Sequence, residues 1–283
     1  MPVTRSEVRE FEKKVKTLEK GAGKLSDRVR VEVQKIVDDH RRIIKELIGT
    51  YPAKEPLPTS EVPKLSTQIR AEVDSMLNEA ADAVKKAQEG VYLNGVQAGS
   101  QLISTLKIKG VFFAPSTDLI HVATNYSADL IRSISTDLLP KVNGVLSRAA
   151  LGSLSPHEAM QELDKLIGRA ASSGVSAQAE MIIRTEVERV YSIALNSQMQ
   201  SLVEMVEHPK KIEKEWMSGP NRPGRRQEHQ QMDGQRVPVD EPFVTPSGNK
   251  LMYPRDPAGP AEEVISCGCS WRIVPESLVD AMK

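Results

Sequence analysis

Apolar residues recur at helical spacing from the start of the chain. Between residues 4 and 20, Val8, Phe11, Val15 and Leu18 fall at alternating steps of three and four, with charges between them. That spacing lines one face of a helix. Gly21 and Gly23 then predict an interruption, because glycine in a helix interior costs about 1 kcal/mol relative to alanine. A second stripe, Val29, Val33, Ile36, Ile43 and Leu47, predicts a helix from Ser26 or Asp27 to about Leu47. Residues 1–50 therefore read as a helical hairpin, an interrupted rod or a docking arm. The pattern is too short to define a coiled coil.

Four prolines in residues 51–64 forbid continuous helix. This segment is expected to be a linker or crossover, and the first domain boundary. Helical spacing returns over residues 65–206. Ile69, Val73, Leu77, Ala81 and Val84 mark a helix from Leu65 to Gly90, whereas residues 100–113 are ambiguous. A further helix is expected from Thr117 to Ala150, with a break near Pro140. Ser155, Pro156 and Glu158 form a helix-start signature: a capping hydroxyl, a proline at the first turn and a reciprocal carboxylate. That helix should run to about Ala170, and a longer one should span residues 176–206.

The pattern changes after Pro209. Residues 211–217 alternate apolar and polar, as a half-buried strand does. Residues 236–239 and 271–274 suggest further short strands, with a turn at 245–250. The expected fold is mainly α, with long N-terminal helices and a small α+β C-terminal domain over residues 207–283.

Composition narrows the function classes. Hydrophobic residues make up 39% of the 283 and aromatics 4%, so helices packed through aliphatic side chains fit better than one large core. Lys plus Arg and Asp plus Glu are equal at 38 each, so electrostatic partners must be sought in local patches. No apolar run approaches the roughly 18 residues a membrane span needs, and the N-terminus lacks the apolar core of a signal peptide. With only two cysteines, a secreted disulfide framework is excluded and a reducing cytoplasm is expected.

Four clusters carry candidate chemistry. Arg184, Thr185 and Glu186 lie on a helix that also carries Glu188 and Asn196. Arg184 is four residues from Glu188, so the two can form a surface pair; alternatively, a partly buried arginine ties the helix to the C-terminal cap. Lys210, Lys211, Lys214, Arg222, Arg225 and Arg226 make a locally basic, glycine- and proline-rich loop, a candidate for salt-dependent phosphate contacts with DNA. His229 stands four residues before Asp233, which with Gly234 signals a turn. Cys267 and Cys269, two apart, point the same way in an extended segment and can chelate one ion. With His229 they make a candidate zinc site, to which His208, Asp233 or Asp240 could add the fourth ligand that zinc needs; two buried thiols acting as small apolar groups is the alternative. No phosphate loop, zinc-protease helix or nucleophile elbow is present, so no enzyme is expected.

The order of these features resembles a known family. A helix with Arg184-Thr185-Glu186 precedes Asn196, then Lys214-Glu215-Trp216, a basic loop, and the run from Arg226 through His229 and Asp233-Gly234 to Gln235. Asp240 to Phe243, the Tyr253–Pro257 loop and Cys267-Gly268-Cys269 follow. Residues 155–275 are thereby similar to the Mu F-like (phage head morphogenesis) domain of tailed-phage minor head proteins. Members often carry a basic residue between the two cysteines, where this chain has Gly268. The resemblance implies a minor capsid protein inside the head, made in the host cytoplasm. It implies action near the portal during procapsid assembly, with portal protein, major capsid protein or scaffold as partners, and contact with packaged double-stranded DNA. It supplies no catalytic residues, and no toxin domain is expected after this one. A non-specific DNA-binding module and a metal-dependent hydrolase are the competing expectations.

Overall fold

The computed structural model describes residues 4–105, 115–168, 174–204, 211–219, 226–274 and residue 277. Five long or medium helices come first: α1 (Arg5–Gly49), α2 (Val62–Thr105), α3 (Thr117–Ala150), α4 (Pro156–Ile167) and α5 (Val175–Val203). The small C-terminal part follows as β1 (Glu213–Met217), α6 (Gln227–Gln231), β2 (Arg236–Pro238), β3 (Phe243–Val244), β4 (Lys250–Leu251), α7 (Ala261–Val264) and β5 (Ser270–Ile273). The mainly helical fold with a small α+β C-terminal part is as expected.

Several local expectations fail for one reason: packing outweighs propensity. Helix α1 passes through Gly21 and Gly23 without a break. A side chain at Gly21 would come within 3.3 Å of the Asn94 amide, and the neighbouring Ala22 and Ser26 are buried. Helix α3 likewise continues through Pro140. Proline removes one helical hydrogen bond, but Leu138, Val142 and Val145 are buried on either side and hold the flanking turns. Helix α2 extends beyond Gly90 to Thr105, which resolves the start of the ambiguous stretch; its remainder lies outside the described residues. By contrast, the Ser155 cap forms as expected. Its hydroxyl accepts from the Glu158 amide, and the Glu158 carboxylate accepts from the Ser155 amide.

The chain forms two compact units, each assembled from non-consecutive segments: residues 1–26, 88–121 and 184–283 in one, and 27–87 and 122–183 in the other. These differ from the consecutive domains expected from the sequence. Residues 51–64, expected as a linker or crossover, are anchored at Leu57. Leu57 is fully buried, and its amide donates to the Ala149 carbonyl at 3.2 Å.

The second unit is a helical core of Val33, Ile44, Ile69, Val73, Ile131 and Leu163, among others. His40 joins α1 to α2 there. Its Nδ1 lies 2.8 Å from Glu72 and its Nε2 3.2 Å from Glu79.

The first unit packs the start of α1, the end of α2 and most of α5 with the C-terminal part. Gly95 on α2 permits close approach to α5, since a Cβ there would lie 2.6 Å from the Ala194 Cβ. The antiparallel sheet has the order β2-β1-β5 and sets Trp216 opposite Trp271. A separate β3-β4 hairpin pairs Phe243 with Leu251. Its turn uses Gly248 at φ 86°, a conformation open to glycine.

Glu19 on α1 lies within this unit, and its Oε1 is buried without a hydrogen-bond partner among the described residues. Burial pushes its carboxyl up to about 7, against the partial relief given by Arg272, Lys16, Ser270 and Arg255. Between pH 4.5 and about 7 the native chain therefore holds a proton that the unfolded chain has lost, so this group's contribution to stability falls as pH rises. Glu19→Gln should stabilise the protein at pH 8 by on the order of 2 kcal/mol and leave it unchanged at pH 4. Urea unfolding at the two pH values checks this, and an equal effect at both would contradict it.

Candidate metal centre

The C-terminal part folds around a set of buried polar groups. His229 sits on α6, a helix of only five residues. Its position is fixed by its neighbours: the Trp216 and His229 rings meet in a T-shaped contact, 5.4 Å between centroids and 82° between planes. Cys267 and Cys269 lie in the extended stretch before β5. Both are buried, whereas Gly268 between them is exposed. This is the alternation that extended backbone imposes.

The three side chains converge. His229 Nδ1 lies 3.4 Å from Cys267 Sγ and 3.7 Å from Cys269 Sγ. All three ligand atoms fall within 4.8 Å of one another. Bond lengths of about 2.0 Å to nitrogen and 2.3 Å to sulfur at a tetrahedral angle place those donors roughly 3.5 Å apart. The nitrogen–sulfur spacing thus suits a tetrahedral ion without rearrangement. These residues form a possible metal-binding triad.

Glu263, which the sequence reading did not single out, orients the triad. Its Oε2 lies 2.7 Å from His229 Nε2. Its Oε1 accepts from Ser247 at 2.6 Å, Asn249 at 2.9 Å and Thr245 at 3.0 Å. The β3-β4 turn and α7 thereby hold the imidazole so that Nδ1 faces the sulfurs. A carboxylate behind a ligating histidine is the usual way its ring orientation and tautomer are fixed. Only the paired acids Glu262-Glu263 beside apolar Val264 hinted at this role in the sequence.

The electrostatics agree with this geometry. Burial would raise the Glu263 carboxyl, but the hydrogen bonds from Ser247, Asn249, His229 and Thr245 prevail and hold it down to about 2. Burial opposes charge on His229, yet the Cys267 and Glu263 contacts prevail and raise it. The hydrogen bond with Cys269 leads in holding the Cys267 thiol well below its ordinary value, against burial and with help from His229 and Arg255. A thiol inclined to ionise, beside an imidazole, is suited to bind a cation. The same Cys–His–Glu order can activate a nucleophile; here Cys267 and His229 are only 2% and 3% exposed.

A second network ties this loop to α5. Thr185 accepts from the Ser266 amide at 2.9 Å. Glu186 pairs with Arg189 at 2.7 Å, and Arg189 Nε donates to the Arg255 carbonyl at 2.8 Å. Arg255 in turn donates to Glu188 at 3.0 Å and to the Cys267 carbonyl at 2.6 Å. The buried arginine expected at position 184 is therefore a role shared by Arg189 and Arg255, while Arg184 is exposed. Glu188 is engaged across the fold by Arg255 rather than only along its own helix. Arg255 and Ser266 both adopt positive φ, 68° and 55°, a strain that neighbouring contacts must hold.

Trp216 is fully buried and meets Phe243 edge-on at 5.2 Å. Asp233 accepts from the Ser218 amide at 2.7 Å, and Gly234, at φ 78°, donates to the Trp216 carbonyl at 2.9 Å. Asn196 has a buried Oδ1 without a hydrogen-bond partner among the described residues.

Among the described residues, Lys211, Lys214 and Arg226 do not share one surface. Lys214 is fully buried; its ammonium donates to the Met252 carbonyl at 2.9 Å and lies 5.2 Å from the centre of the Phe243 ring. Strand alternation turns it inward with Trp216, so it is corrected from a phosphate contact to a core residue. Burial also lowers its ammonium to about 8, despite Asp240, Asp256 and Glu241 nearby. Arg226 donates to the Ile265 carbonyl at 2.7 Å, and Lys211 is exposed. Lys210, Arg222 and Arg225 lie outside the described residues.

No protein-family model matches the chain, and neither a curated protein nor a solved structure matches it.

Removing Glu263 would strand His229 Nε2 and three further polar side chains in the interior. Glu263→Ala should therefore lower stability by about 3 kcal/mol, read from the shift in urea midpoint, whereas Glu263→Gln, which keeps an acceptor, should lose less. A loss below about 1 kcal/mol for the alanine variant would show that the network is not supporting the fold.

Proposed function

We propose that this chain is a minor head protein of a tailed bacteriophage that acts in procapsid assembly beside the portal. In this reading a structural zinc ion, held by His229, Cys267 and Cys269, clips its C-terminal part together. The phage assignment is supported by the resemblance of residues 155–275 to the Mu F-like domain. The architectural role is supported by one observation above all: Thr185, Glu186, Trp216, His229, Asp233, Cys267 and Cys269 are spent on buried internal contacts or turns. Zinc is favoured over harder cations because the donors are two sulfurs and an imidazole, a combination Mg²⁺ and Ca²⁺ avoid.

In this role the protein performs no chemistry. Its helices present surfaces to capsid, scaffold or portal partners, and among the described residues no helix is long and apolar enough to cross a membrane. Mass spectrometry of purified particles of the phage that encodes this chain tests the proposal. The protein should be present at a few copies per particle, and particles assembled without it should be defective. Its absence from both procapsids and finished particles would overturn the assignment.

A further inference from the structure

The start of α1 carries a row of cations that its own acids leave uncompensated. Arg9, Lys13, Lys16, Lys20 and Lys24 are all exposed. At 3.6 residues per turn they fall within an arc of about 80° and extend for roughly 22 Å. The four acids of residues 5–26 are engaged elsewhere. Glu7 accepts from Thr4 in a capping arrangement, and Glu10 pairs with Lys14. Glu12 pairs with Arg272, and Glu19, drawn inward with its carboxyl pushed up by burial, offsets only Lys16 of this row. None of the five cations has an ion-pair partner within 4 Å among the described residues. Lys13 also borders a shallow depression lined by Lys14, Thr17 and Gln101. In a chain whose formal charge is zero, this is a local concentration of unspent positive charge.

We propose that this face of α1 binds the phosphate backbone of duplex DNA, independently of base sequence. Cations about a helical turn apart form a regular row, and a duplex presents one phosphate charge per roughly 1.7 Å of axis, so every side chain in the row has a phosphate within reach. A membrane surface fits less well. A helix lying in a bilayer interface needs a free apolar face, and here Phe11, Val15 and Ala22 are buried within the protein. The proposal names a partner and a contact surface for the head-protein reading, on which it rests only for the DNA being at hand. It moves the expected contact from the loop around Lys214 to the helix.

Binding of a random-sequence 30-base-pair duplex to the full chain, measured by fluorescence anisotropy from 50 to 300 mM salt, tests it. Neutralising five phosphates gives a slope of log affinity against log salt of about −4.5. The combined substitutions Lys13→Gln, Lys16→Gln, Lys20→Gln and Lys24→Gln should shrink that slope by about 3.6. Glutamine has nearly the helix propensity of lysine, so circular dichroism should be unchanged. The control pair Lys211→Gln and Arg226→Gln should keep the wild-type slope. No binding at 50 mM salt, an unchanged slope in the four-lysine variant, loss of binding in the control pair, or preference for anionic phosphatidylserine vesicles would each overturn the proposal. A chain that binds through these lysines but is absent from phage particles overturns the head-protein reading alone. A chain present in particles that fails to bind overturns this contact alone.

Discussion

The imidazole of His229 is held on both sides. One nitrogen faces the Glu263 carboxylate at 2.7 Å and the other faces two sulfurs at 3.4 and 3.7 Å. These contacts draw together α6, the β3-β4 turn, α7 and the strand leading into β5. The C-terminal part needs such a centre because its regular elements are small. Its strands run two to five residues and its helices four and five, too short to be stable alone. Buried polar networks rigidify a fold when every member is satisfied and destabilise it when one is not. A metal bridging the two sulfurs would complete this one.

The arginines extend the same logic outward. Arg255 binds the Cys267 carbonyl and Glu188 together, and Arg189 holds the Arg255 carbonyl while pairing with Glu186. A shift of the cysteine loop would leave a guanidinium without its acceptors, and a guanidinium cannot shed its charge. Local strain at Arg255 and Ser266 is tolerated because these contacts over-determine the backbone there. The result is a hub of buried, chemically potent groups held from several elements at once.

Legibility in the sequence followed the range of the interactions. The Ser155 cap, the β1 alternation and the Asp233-Gly234 turn depend on neighbours a few residues away, and all were readable. The CxC pair with His229 was also visible, since thiols two apart in extended chain must share a side. Glu263 was not, because nothing local marks an acid whose partners lie 14 to 34 residues away. Arg255 lay inside the Tyr253–Pro257 motif without a role that spacing could assign. Gly21, Gly23 and Pro140 misled for the opposite reason. Their local preferences are worth one to a few kcal/mol, and long helices buried along one face outweigh them. Lys214 shows the same limit: its charge suggested the surface, whereas its strand parity with Trp216 places it in the core.

His229, Cys267 and Cys269 supply three donors for the one metal ion proposed in the C-terminal part. X-ray absorption at the zinc edge, on protein purified without added metal and quantified per chain, tests it most directly. About one zinc per chain is expected, with two sulfur neighbours near 2.3 Å and a nitrogen near 2.0 Å, and loss of the sulfur signal in proportion when Cys267 or Cys269 is changed to serine. Protein that carries no stoichiometric metal, or zinc surrounded only by oxygen and nitrogen, would contradict it.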